Sequence, residues 1–163
     1  MAKTFEDLFT EYQTDMISLS LEYVDYRKEV ESVYIYVTSE DRMSACDAFY
    51  KIDGMIVPRW RVKYALKPGG ERLCSDRREH NFLSIMGQTM TKLIKLCKEY
   101  GREMPTEIKI IYDTKTQKVD ANYRYDLILT KDPDNMRAPQ DGEEDWMAEE
   151  AAKLGQAYKR LIG

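Results

Sequence analysis

The stretch from Ile108 to Asp126 constrains this chain more than any other. Ile108, Ile110 and Tyr112 alternate with Lys109, Ile111 and Asp113. After the polar residues Thr114–Lys118, the less polar Val119, Ala121, Tyr123 and Tyr125 alternate with Asp120, Asn122, Arg124 and Asp126. Successive strand side chains point to opposite faces, so period-2 patterning on both sides of a short polar turn reads as a β-hairpin. An acidic, Trp-bearing segment follows it.

The rest of the chain places that hairpin in a larger order. Thr4–Asp7 reads as a capping box with Asp in the fourth position, and Phe5, Leu8, Phe9, Tyr12, Met16, Leu19 and Tyr23 recur at helical steps. The charged run Tyr26–Glu31 ends that helix. Val33–Thr38 alternates β-branched residues with tyrosines as a strand does, Ser39–Met43 suits a turn, and Ala45–Ile52 reads as a second strand. Asp53–Gly54 is a strong hairpin signal, because both central residues of a type I′ turn need positive φ. Met55–Val57 and Trp60–Leu66 are expected to form a third strand, interrupted at Pro58, which has no N–H for the ladder. After the turn Lys67–Gly70, a helix is expected from Asp76 to Tyr100, with Gly101 as its cap and Pro105 forbidding its continuation.

Beyond the hairpin, residues 131–142 form an acidic loop, expected to be mobile. A closing helix starts at Asp141, with Met147, Ala151, Leu154, Tyr158 and Leu161 on one face. The order α-β-β-β-α-β-β-α predicts one α+β domain, a mostly antiparallel sheet with helices packed on one face. A length of 163 residues suits one domain with one sizeable core.

Charge and cysteine usage narrow the function. A net charge of −4 argues against nucleic acid as the main partner, since phosphate binding draws on clustered Lys and Arg, and favours a basic partner. The three cysteines form no C-x-x-C pair, which points to the reducing cytoplasm rather than to a disulfide framework. The N-terminal MAKTFEDLFTEY lacks the apolar core of a signal peptide, and no window approaches the roughly eighteen apolar residues of a membrane span. Twelve tyrosines against four phenylalanines favour half-buried sheet faces and interaction surfaces.

Catalytic chemistry is hard to find. His80 is the only histidine and has no nucleophile motif around it. No cluster of His, Cys and carboxylates has metal-ligand spacing, and Asp132/Asp134 lack the glycine and terminal Glu of a calcium loop. Lys67–Arg72 lacks the spacing of a phosphate-binding loop, so neither metal nor cofactor is expected. Arg59–Lys63 interleaves base and aromatic, which on a half-buried strand turns Trp60 and Val62 inward and the charges outward.

The acidic segment is the one feature left over. Lys131–Glu150 holds eight acids against Lys131 and Arg137. Glu143, Glu144 and Asp145 complement a helix dipole, as Lys153, Lys159 and Arg160 do at the other end. Asp132 and Asp134 have no such role, and Trp146 is of the aromatic type that anchors interfaces.

Several of these segments together resemble the YezG-like immunity proteins of bacteria. They are the N-terminal amphipathic helix, VYIYV, the long helix ending KEYG, IIYDTKTQKVDANYRYD, and a Trp-bearing closing helix ending AAKLG. The hairpin turn carries Gln117 where that family commonly has Gly, and the approach to the closing helix is more acidic. The resemblance implies a non-enzymatic cytoplasmic antitoxin that binds and neutralises a toxin domain, often a nuclease. A nuclease is basic because it holds phosphates, and carboxylates placed where phosphates sit would steer and block it. The expected partner-binding residues are Asp132, Asp134, Glu143, Glu144, Asp145 and Trp146, with Asp113, Asp120 and Asp126 as a second group on the hairpin. The alternative is a small acidic chaperone or adaptor that binds an extended segment of a secreted partner along a sheet edge. An enzyme of unrecognised type is a third reading, lacking a visible nucleophile–base pair.

Overall fold

A computed structural model describes residues 2–157 of the chain. Helix α1 (Phe5–Tyr23) starts with the expected capping box: the Asp7 N–H donates to the Thr4 hydroxyl and the Thr4 N–H to the Asp7 carboxylate, both at 3.1 Å. Strands β1 (Val30–Glu40), β2 (Met43–Ile52) and β3 (Met55–Pro58) form an antiparallel meander. The first turn is tighter than expected, because the ladder runs on to the Glu40–Met43 pair. At the second, Asp53 and Gly54 take φ of 48° and 77°, the positive values a type I′ turn requires.

Proline ends the third strand instead of interrupting it. Beyond Pro58, Trp60–Leu66 is not strand: Arg59–Arg61 forms a 3-10 turn and Val62–Ala65 a short helix, α2. With no N–H to offer β2, Pro58 closes the ladder, and the chain turns away through helical backbone. Helix α3 (Asp76–Glu99) is capped one residue earlier than expected, by the Ser75 hydroxyl, which accepts from the Arg78 N–H. Strands β4 (Glu107–Asp113) and β5 (Val119–Arg124) are the hairpin, and α4 (Asp141–Lys153) closes the described chain. Gln117 in the hairpin turn has φ 62°, the left-handed conformation that a Gly would take there without strain.

All neighbouring strands are antiparallel, in the order β3-β2-β1-β4-β5. Central β1 explains VYIYV. Val33, Ile35 and Val37 face one layer with Met16 and Ile17 of α1 and Phe82, Met86 and Leu93 of α3. Tyr34 and Tyr36 face the other, with Phe49, Ile56, Trp146, Met147 and Ala151. The class, antiparallel sheet and element order are those the sequence predicts, with one departure: α1 and α3 share a face, and α4 takes the opposite one. Two-sided burial follows from β1 itself, whose tyrosines are as inaccessible as its aliphatics.

Helix α4 is shorter than the predicted stripe. Leu154 is its C-cap and 40 % exposed, and Tyr158, Leu161, Lys159 and Arg160 lie outside the described residues. At its other end Gly142 permits a close approach, since a Cβ there would meet the Tyr36 hydroxyl oxygen at 1.9 Å. No helix among the described residues is long and apolar enough to cross a membrane.

Candidate functional site

Helix α4 covers β1 and β2 with Trp146, whose ring meets Tyr34 and Phe49 edge-on at centroid distances of 5.6 and 5.0 Å. It does not reach over the hairpin. Between α4 and the same face of β4–β5 lies an open groove of about 380 Å³. Its floor is Glu107, Lys109 and Ile111 from β4 with Asp120, Asn122 and Arg124 from β5, and its wall is Trp146, Glu149, Glu150 and Lys153. The strand alternation that buries Ile108 and Ile110 under α1 and α3 delivers these polar partners to the opposite side.

The charges there are largely matched. Buried Glu107 accepts a 2.6 Å hydrogen bond from the Tyr36 hydroxyl and stands 3.8 Å from both Lys109 and Arg124. Burial, and then the Glu107 carboxylate, push the Tyr36 phenol well above its ordinary range. Lys153 pairs with Glu150 at 2.6 Å, and the Lys109 ammonium lies 5.5 Å from the Trp146 ring centroid. Asp120 and Glu149 have no ion pair or side-chain hydrogen bond among the described residues. They are the carboxylates left to meet a ligand.

The predicted acidic residues do not form one face. Trp146 is 5 % exposed and belongs to the core, which corrects the expectation of an exposed anchor. Glu143 is equally buried, so it cannot contribute to an acidic surface either. The reason is helical phase: Glu143, Trp146, Met147, Glu150 and Ala151 fall at i, i+3, i+4, i+7 and i+8, the inward stripe of α4. Asp113 holds the hairpin turn, accepting from the N–H groups of Lys115 and Thr116 at 2.9 Å, and these bonds lower its pKa. Asp126 pairs with Arg124 at 2.7 Å and Asp145 with Arg137 at 2.5 Å. The Asp132 carboxylate accepts from the Asp134 N–H at 3.1 Å, Asp134 itself is exposed, and Glu144 is half-buried in the first turn of α4. Of the predicted group, Asp120 and Trp146 line the groove.

The segment that leads into the acidic loop is anchored. The N–H groups of Ile128, Leu129 and Thr130 donate to the buried Glu40 carboxylate at 2.8–2.9 Å, and the Thr130 hydroxyl donates to it as well. Burial opposes ionisation of Glu40, but these donors outweigh it and lower the pKa to about 2. The Arg137 N–H donates to the Leu129 carbonyl at 3.1 Å, and residues 141 and 142 already belong to α4.

A second polar cluster lies at the β3 edge. Arg59 is 2 % exposed, not outward-facing as the strand reading had it. Its guanidinium meets Asp47 at 2.7 Å and Glu79 at 3.6 Å, and lies over the rings of Phe82 and Tyr23 at 5.0 and 5.4 Å. It therefore joins the two faces around the open end of the ladder. Glu143 approaches from α4 with one carboxylate oxygen lacking a hydrogen bond; burial, then the Asp47 charge, raise its pKa well above the ordinary value. The Cys46 thiol is pushed up to about 12, chiefly by burial, which makes it a poor nucleophile. His80 is exposed on α3. Among the described residues, no group of three or more His, Cys, Asp or Glu side chains could hold a metal ion.

The sequence reading missed Glu40, Glu107, Asp47 and Arg59. Glu107 and Glu40 carried one available signal, each being a charge at the end of a strand whose neighbours are apolar. Compared with known proteins, the chain matches no family model and no curated sequence.

Proposed function

We propose that this chain is a non-enzymatic cytoplasmic immunity protein that neutralises a basic toxin domain, of the nuclease kind, by binding it in the groove between α4 and the β4–β5 hairpin. One observation carries the placement of the site: α4 leaves this face of the hairpin uncovered, with Asp120 and Glu149 outside any ion pair among the described residues and an aromatic edge beside them. The toxin itself comes from the resemblance in the sequence. The surface is less acidic than the sequence promised, with four acids and three cations lining the groove. Such a site supports specificity by matched charge more than long-range attraction.

The test is to look for a toxin reading frame next to that of this chain and to measure binding of its toxin domain by calorimetry, with protection measured by co-expression. Asp120→Lys with Glu149→Lys should weaken binding at least tenfold, by roughly 1.4 kcal/mol or more. Asp15→Lys with Glu99→Lys makes the same change in net charge on the exposed helical side and should leave affinity unchanged. Equal affinity of both double variants would sink the groove. The adaptor reading is favoured by a different feature, the open outer edge of β5, which offers its backbone to an extended strand.

A further inference from the structure

Among the described residues the outer edge of β5 is unpaired, and its sequence is complementary to itself. The Asp113 N–H donates to the Lys118 carbonyl. By antiparallel alternation, Lys118, Asp120, Asn122 and Arg124 turn their backbone groups towards β4. Val119, Ala121 and Tyr123 then aim their N–H and C=O groups outward. The side chains nearby are accessible: Val119 is 54 % exposed, Tyr123 39 % and Tyr125 49 %.

We propose that this edge pairs with the same edge of a second copy of the chain, antiparallel about Asn122, joining two five-stranded sheets into one. In this register Asp120 stands opposite Arg124 of the second copy, and just beyond the strand ends Lys118 falls opposite Asp126. Each pairing occurs twice by symmetry. On the other face Val119 meets Tyr125 and Ala121 meets Tyr123, so apolar side chains meet apolar ones. The outward-facing residues fall opposite each other, as the intermolecular hydrogen bonds require.

No neighbouring register does this. A two-fold axis at Ala121 sets Lys118 against Arg124, one at Tyr123 sets Asp120 against Asp126, and one at Asp120 opposes that carboxylate to itself. Charges on an edge strand ordinarily keep edges apart. Here their order, Lys-x-Asp-x-Asn-x-Arg-x-Asp, disfavours the registers next to this one, and the registers centred nearer either end pair fewer residues of the strand. In the single subunit Arg124 folds onto Asp126 at 2.7 Å; pairing exchanges that contact for Asp120 of the second copy and frees Asp126 for Lys118. The two hairpin floors then lie side by side on the same face. The pairing does not depend on the toxin reading, and its test contains no other protein.

Sedimentation velocity over a concentration series decides the matter. The native chain should show a monomer–dimer equilibrium. Asp120→Arg and Arg124→Asp should each weaken self-association at least about tenfold, since both symmetry-related pairs become like-charged. An equimolar mixture of the two variants should form dimers again, because only the mixed pair restores both attractions. Far-UV circular dichroism checks that each variant is folded; should Arg124→Asp unfold, Lys118→Glu mixed with Asp126→Lys makes the same exchange at the outer pair. A native chain that stays monomeric up to its solubility, a dimer insensitive to Asp120→Arg, or folded variants that fail to associate when mixed would each overturn the proposal.

Discussion

At the scale of single residues, the chain's buried charges are tied to the places where regular structure stops. Arg59 occupies the position after Pro58 where β3 would have continued, and its charge is held by Asp47 against the cost of burial. Removing it leaves Asp47 without its partner, so Arg59→Met should destabilise the fold by about 3 kcal/mol in urea titration. Glu143 is the opposite case. Its carboxyl keeps a proton to higher pH in the folded chain than in the unfolded one, where it titrates near 4.5. The folded state has that advantage in full below pH 4.5 and loses it as pH rises through the raised value. In thermal melts the native chain should lose stability as pH rises above 4.5, and Glu143→Gln should flatten that fall; an unchanged slope would mean that another group causes it. These roles were hidden in the sequence for a physical reason. An acid in the first turn of a helix suits the dipole whether it faces water or the core, and only the stripe set by Met147 and Ala151 gives its direction.

At the scale of elements, patterned segments were readable and boundaries made by tertiary contacts were not. β1, the β4–β5 hairpin, α1 and α3 follow from alternation, capping residues and the Asp53–Gly54 turn, all of them local. The expected third-strand half at Trp60–Leu66 failed because four alternating apolar residues suit a short helical turn as well as a strand, and Pro58 had already closed the ladder. The anchoring of residues 128–130, just before the acidic loop, could not be read locally, because the group that holds them, Glu40, is about ninety residues away in sequence. That clamp is testable. Glu40→Ala removes a buried carboxylate acceptor from three backbone donors and should cost about 2 kcal/mol. It should also abolish hydrogen-exchange protection at Ile128, Leu129 and Thr130 while leaving β2 protected. Since the Glu40 pKa is lowered to about 2, the stabilisation should hold above pH 4.5 and fade as pH drops towards 2.

At the scale of the whole molecule, an antiparallel sheet with two helices on one face and one on the other leaves the α4 side of the hairpin uncovered among the described residues. The sequence pointed to this region through the hairpin, and Asp120 and Trp146 are the predicted residues that end up lining the groove. The helix beside it was misread as a display of acids, when Trp146, Met147 and Ala151 pack it on the sheet and two of its glutamates are buried with them. Protein binding through the uncovered strip is the central proposal, and calorimetry with a toxin domain from a neighbouring reading frame tests it most directly. The native chain should bind with an affinity that weakens as salt rises, and the Asp120→Lys/Glu149→Lys chain should bind at least tenfold more weakly at low salt. Undiminished binding by that double variant, while the Asp15→Lys/Glu99→Lys control lost it, would contradict the claim and move the site to the opposite face.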